Sequence, residues 1–410
     1  MRLALPPLLL LDTILKDLDW VWDCQDPEVE VSALAPIKHV EPSALVALAA
    51  WAAHHRANGR RIRVLDSVRS PYTWRYGLLS ALTGLSGVSG MATRFLPPTQ
   101  IPSEAKIAEI LDRTLRALSL SAVGVRTSLT WAMSEALRNV FEHANAPTGA
   151  FLSASFFPAT DRVSFAVADT GVGVPRTIRP RYGASLTDAQ ANEIAIQLKT
   201  SGAPPSSSYG GSVKNAGVGL FYLRSMSARS AGLFALLSES AFVRGQGNTP
   251  PVTGETRARW GGTVVAVTLS ASHAEDALHA VRVMLTRGLS AQPKKQLVSF
   301  GDPPRGSVIV RFTPSAAAVI ENKEEAHRVR EEVLLPCVAA GHPVGIDFTL
   351  GQAATHSFVH ALLYAPLKEA GERAQSLIFI RATSVQIKDT VRFVAWDALG
   401  SGPAFDPGRA

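Results

Sequence analysis

The chain has 410 residues, 46% of them hydrophobic and 18% charged, with a formal net charge of +7. That balance excludes a disordered or fibrous chain and allows two or three globular domains. The excess charge is spread along the sequence rather than gathered into a basic stripe, so direct nucleic-acid binding is not expected. Two cysteines, Cys24 and Cys337, provide neither a disulfide framework nor metal-ligand spacing, which fits a reducing cytoplasm.

The leucine-rich start from Met1 to Leu11 imitates a signal peptide. However, Pro6 and Pro7 interrupt it, no small-x-small cleavage site follows, and it runs into Asp12 and Lys16. No stretch approaches the ~18–20 uninterrupted apolar residues of a membrane span, so no membrane association is expected. Residues 1–100 read as a small α/β unit. It has a strand at Glu28–Ser32, a helix that begins near Pro42-Ser43 and runs to Arg60, and a strand at Ile62–Leu65.

Within residues 101–275 a helix carries Glu135, Asn139 and His143. Steps of four residues advance 40° past a full turn, so the three line one edge. Met133, Leu137, Val140, Phe141 and Ala144 form the apolar stripe opposite. A hairpin then leads into the alternating run Val163–Ala168 and on to Asp169-Thr170-Gly171-Val172-Gly173. Next come Arg176, Arg179 and Arg181, and then Ser201–Gly211, whose Ser, Pro and Gly cannot build a core and read as a mobile loop. Asn215-Ala216-Gly217-Val218-Gly219-Leu220 follows after Lys214 and opens a helix, and Gly261-Gly262-Thr263 opens an apolar strand to Leu269.

Residues 276–299 read as a linker containing Gln292-Pro293-Lys294-Lys295. Residues 300–405 form a second α/β unit. Its strands are expected at Gly306–Phe312, Val344–Phe348 and Leu377–Ile380, and its helices at Lys323–Ala339, Ser357–Ala370 and Ile387–Val394.

The three central motifs, in this order, resemble the N, G1 and G2 boxes of the GHKL superfamily, which includes histidine kinases, anti-sigma serine kinases, gyrase, Hsp90 and MutL. The resemblance implies a Bergerat-fold ATPase domain of α+β type, with a mixed sheet backed by helices, binding ATP and Mg²⁺. No phosphoacceptor histidine helix precedes the N box, so this is not an ordinary two-component sensor. Glu135 is the implied catalytic residue, polarising a water or hydroxyl aimed at the γ-phosphate. Asn139 is the implied Mg²⁺ ligand, because an amide oxygen suits that hard cation.

Asp169 would accept a hydrogen bond from the adenine amino group, and Gly171 and Gly173 would let the backbone approach the base. Gly217, Gly219 and Leu220 would bring amide donors at a helix start toward the phosphates. Lys214 stands where many relatives have another glycine, so either Lys214 or Asn215 could touch phosphate. Thr263 resembles the G3 threonine that meets adenine through water, and His143 completes the N-box edge. The loop between G1 and G2 corresponds to the ATP lid, with the three arginines as phosphate partners.

The stretch Ile346-Asp347-Phe348 through Ala354-Thr355-His356-Ser357-Phe358 resembles STAS-like domains, and residues 1–100 repeat the theme. In STAS antagonists a serine at this helix start is phosphorylated by a GHKL serine kinase. Ser357 and Ser43 stand nearest that position, where each could equally be a helix N-cap. The expected function is a Mg-ATP-binding regulator that acts by phosphotransfer to, or ATP-dependent switching of, a protein partner. Two other readings remain: a dimerising ATPase of MutL or Hsp90 type using a lysine of Gln292–Lys295, and a nucleotide sensor without turnover.

Overall fold

The computed structural model describes residues 1–84, 94–197, 219–281, 298–314 and 318–398. They form two compact units, the first within Met1–Ala277 and the second within Leu278–Ala410.

The first unit opens with a three-stranded parallel sheet made of β1 (Arg2–Leu5), β2 (Glu28–Ala33) and β3 (Arg61–Val64), with β2 in the centre. Parallel neighbours need a crossover, and α1 (Pro42–Ala57) supplies the one between β2 and β3. This helix reads Pro-Ser-Ala-Leu-Val-Ala-Leu-Ala-Ala-Trp-Ala-Ala, and every residue from Pro42 to Ala52 is buried. A helix that is apolar all round must lie inside the protein, and α1 does.

What α1 packs on is a five-stranded sheet in the order β4 (Phe95–Ile101), β5 (Ala150–Phe157), β6 (Arg162–Asp169), β8 (Val252–Ser270) and β7 (Leu233–Gln246). Every pairing in it is antiparallel. The mixed sheet expected from the resemblance is therefore corrected: the parallel and antiparallel strands belong to two separate sheets. Short connections account for this, because the turns after Phe157 and Gln246 return the chain directly alongside itself. The expected boundary at residue 100 falls inside β4, which pairs with β5.

Strand alternation divides the five-stranded sheet into two buried faces. Ala166 and Ala168 of β6, Ala235 and Leu237 of β7, and Val264 and Ala266 of β8 pack into one core with α1. Val163, Phe165 and Val167, buried with opposite parity, face the other side. That side carries α2 (Ile107–Leu118), α3 (Val123–Asn139) and α6 (Gly219–Arg229). Two shorter helices, α4 (Val174–Tyr182) and α5 (Asp188–Ala195), follow β6.

The second unit is a four-stranded parallel sheet in the order β9 (Ser299–Phe300), β12 (Ile378–Arg381), β11 (Val344–Asp347) and β10 (Val308–Arg311). The helix expected at 323–339 is α7 (Lys323–Val329), a π-helical turn (Arg330–Leu334) and α8 (Leu335–Ala339). After it come α9 (His356–Ala370) and α10 (Val385–Ala398). The cap of α9 is Thr355, whose hydroxyl accepts from the Phe358 N–H at 3.2 Å; Ser357 is not the cap. Nor is Ser43 the cap of α1, since Glu41 holds that position and Ser43 is buried.

The alanines on the α1 side of the sheet let a helix approach closely, so enlarging one should strain the core. Ala166→Leu is expected to cost about 1–3 kcal/mol, the usual penalty for overpacking, measured as a lower midpoint in urea denaturation. A change within ~0.5 kcal/mol, as at an ordinary surface position, would mean that this face is not closely packed.

Candidate functional site

At the C-terminal end of β6, Asp169 is pinned between two neighbours. Its carboxyl Oδ1 accepts from the Gly171 N–H at 2.8 Å, and it also takes a hydrogen bond from the Thr263 N–H. Thr263 lies directly across the ladder on β8, and directly opposed residues project from the same face of a sheet. Two positions 94 residues apart in sequence thus meet. Asp169 is fully buried, and burial pushes its carboxyl up to about 7 despite those two bonds. A carboxyl poised there ionises readily when a ligand offers it N–H donors.

The loop after Asp169 admits only glycine where it passes α3. A Cβ at Gly171 would lie 2.0 Å from the Ala144 carbonyl oxygen, and the neighbouring Val172 N–H donates to that same oxygen at 2.7 Å. The reverse side is equally tight. Gly262 sits at φ +137, where a Cβ would lie 2.2 Å from the Asp169 carbonyl oxygen. Gly173 precedes α4 as its N-cap.

Glu135 and Asn139 come from α3, in which every residue from Thr127 to Arg138 is buried. Along the predicted edge Glu135 is buried, whereas Asn139 and His143 are half-buried. With the sheet on one side and α2 and α6 on others, Ser134, Glu135 and Arg138 are enclosed as fully as Met133 and Leu137. Arg138 is held by Glu104 at 2.5 Å. A Cβ at Gly219, the first residue of α6, would lie 3.3 Å from Glu135 Oε2 and 3.5 Å from both terminal atoms of the Asn139 amide. The start of α6, which continues through Leu220, thus meets the N-box carboxylate and amide. Asn139 Nδ2 is buried and finds no hydrogen-bond partner among the described residues.

Past Asn139 the helix widens into a π-helical turn, Val140–Ala144, and ends at Asn145 in the left-handed region. Phe141 and His143 on this turn are half-buried, and the wider winding shifts His143 from the strict four-residue edge. Lys214, Asn215 and Gly217, the Ser201–Gly211 loop and Lys294-Lys295 lie outside the described residues. Of the three arginines, Arg179 is engaged within the fold by Asp188 at 2.6 Å and the Leu186 carbonyl at 2.8 Å, so it is no free phosphate partner.

Three polar residues that the motifs do not include hold the site together. Ser238, fully buried on β7, accepts from the Val174 N–H at 2.8 Å and donates to the Gly262 carbonyl at 2.6 Å. Asn192 on α5 donates to the Ser238 and Ala241 carbonyls at 3.0 and 2.9 Å. Glu239, buried at φ +56, receives Arg259 and lies 3.6 Å from Arg176. The available signal was the polar trio Ser238-Glu239-Ser240 interrupting an otherwise apolar strand.

In the second unit Asp347 ends β11 fully buried. It accepts from Thr349 Oγ1 at 2.6 Å, Arg311 Nε at 3.0 Å and an Arg381 N–H at 3.2 Å. Burial would push its carboxyl up, but the bonds from Thr349 and Arg311 and the nearby Arg381 charge hold it below the usual range. It is a saturated structural anion. His360 is pushed down to about 3 by burial, and the positive charges of Lys323 and Arg330 act the same way. Among the described residues no cluster of His, Cys, Asp and Glu could hold a metal ion by itself. No protein-family model matches the chain, and no curated protein matches it.

Between the ordinary value of 3.8 and about 7, Asp169 holds a proton in the folded state that the unfolded chain has released. Its contribution therefore lowers stability as pH rises through that window and is fully unfavourable above it. Asp169→Asn should raise Tm by at least roughly 2–4 °C at pH 8 and leave it unchanged near pH 3.5. Equal shifts at both pH values would show that Asp169 does not carry that proton.

Proposed function

We propose that the first unit binds Mg-ATP and that the chain is a nucleotide-driven regulator of GHKL type. It would act by phosphotransfer to, or ATP-dependent switching of, a protein partner. The observation that carries this reading is the convergence of a buried, proton-poised Asp169 with Gly171 and Thr263 on the sheet face that also bears Glu135, Asn139 and the start of α6. An adenine amino group would add a third N–H donor to those of Gly171 and Thr263, and a charged hydrogen bond of that sort contributes roughly 1.5–3 kcal/mol.

The residues present fit a Mg²⁺-nucleotide. Asn139 brings a side-chain amide oxygen to the first residue of α6, and Mg²⁺ takes one or two such protein oxygen ligands while keeping several waters. When bound, the ion would offset phosphate charge. Glu135, adjacent to Asn139 and Gly219, would orient and deprotonate the attacking hydroxyl or water. The first peptide units of α6, at Gly219 and Leu220, would offer N–H donors to phosphate. No described helix is long and apolar enough to cross a membrane.

Binding and chemistry separate by mutation. Asn139→Ala is expected to abolish Mg²⁺-dependent ATP binding in calorimetry. Glu135→Gln should keep binding and lower turnover by about 10²–10⁴, the scale of a general base. Incubation with γ-labelled ATP then tells label on a protein from free phosphate. Normal binding and turnover in both variants would remove the N-box residues from the site.

A further inference from the structure

A cavity of about 310 Å³ lies on the far side of the loop that follows Asp169. Trp22 from the N-terminal segment, Trp51 of α1 and Trp260 of β8 line it, together with Arg176, Arg259 and Glu239. Its size falls within the range of small-molecule pockets, which combine aromatic walls with a few placed polar groups.

The three tryptophans are each more than nine-tenths buried, and Trp22 meets Trp260 edge to face at 4.7 Å. Two guanidinium groups, those of Arg176 and Arg259, share the single buried carboxylate of Glu239. Asp23, also at the cavity, is exposed and already accepts from the Arg259 backbone N–H at 3.0 Å. The lining thus joins aromatic edges to a guanidinium, that of Arg176, which is more than half exposed and meets the Glu239 carboxylate only at 3.6 Å. A flat apolar ring bearing anionic oxygens matches both.

We propose that this cavity is an effector site for a small planar aromatic anion, an aryl carboxylate, seated behind the loop that carries Asp169. The ring packs against the indoles and the carboxylate engages the half-exposed Arg176. Gly171, Val172 and Gly261 form part of the same wall, and Gly171 is the residue whose N–H holds the Asp169 carboxyl. An occupant therefore fixes the loop from its other side. This regulatory half rests on the nucleotide reading above, whereas the binding half does not.

The test uses the full chain, with 1-naphthoate as probe and 1-naphthamide as its neutral counterpart, followed by tryptophan fluorescence and calorimetry. Saturable naphthoate binding, at least about tenfold tighter than the amide, is expected because only the acid makes the charged bond. Arg176→Ala, at an exposed side chain that meets Glu239 only at 3.6 Å, should weaken the acid about tenfold and leave the amide unchanged. No saturable binding, equal binding of acid and amide, or indifference to Arg176→Ala would each overturn the site. Saturating naphthoate should then shift ATP affinity at least about threefold, and ATP should shift naphthoate affinity by the same factor. An unshifted ATP affinity overturns the effector role. ATP that binds under no condition overturns the nucleotide reading and the effector role with it, while the aryl-carboxylate site is decided by the first arm.

Discussion

Burial of the five-stranded sheet on both faces is the constraint from which the rest of the first unit follows. An antiparallel sheet commonly leaves one face to solvent, but here α1 occupies one side and α2, α3 and α6 the other. The sequence must then alternate by size rather than by polarity. On β6 the α1 side presents Ala166 and Ala168 to an alanine-rich helix, while Val163, Phe165 and Val167 fill the space beneath α3. Asp169 ends that second series. A carboxyl placed on a face so thoroughly dry is forced toward its neutral form, and this produces its altered acidity.

The other strands reach the site through irregularity. β7 and β8 lose register between Glu255 and Trp260 and again between Trp260 and Thr263, and such bulges re-aim side chains near sites. Here the offset places Ser238 where it can bond both Val174 and Gly262. Glu239 is turned into the left-handed region to receive two arginines. The loop after β6 and the turn before Thr263 therefore share one hydroxyl as their common anchor.

Much of this was legible in the sequence because local chemistry and tertiary demand agree. The turn glycines of the Asp169 motif, the apolar series of β6 and the strand–helix alternation of residues 300–398 each read correctly, since period and punctuation alone specify them. Three features were not legible. The enclosure of α3 from Thr127 to Arg138 depends on neighbours contributed from elsewhere in the chain, so the burial of Ser134, Glu135 and Arg138 emerges only once α2 and α6 are in place. Strand direction within each sheet depends on pairing partners, which a resemblance to other chains misassigned. The roles of Ser238 and Asn192 arise from contacts across 24 to 64 residues that no local pattern encodes.

The segment between Asp12 and Asp23 makes its partnerships very late in the chain. Asp12 pairs with Arg244 at 2.5 Å, buried Asp19 with Arg257 at 2.7 Å, and Asp23 with the Arg259 N–H, over separations of 232 to 238 residues. On a ribosome adding about 5–20 residues per second, the segment from Asp12 to Asp23 waits roughly 10–50 s for β7 and β8 to be made. During that interval Trp22, which packs on Trp260 in the finished fold, has no partner, and α1 has no five-stranded sheet to cover. Contacts of such long range slow folding. The segment from Asp12 to Asp23 consequently acts as a clasp that can fasten only after β7 and β8 have been made.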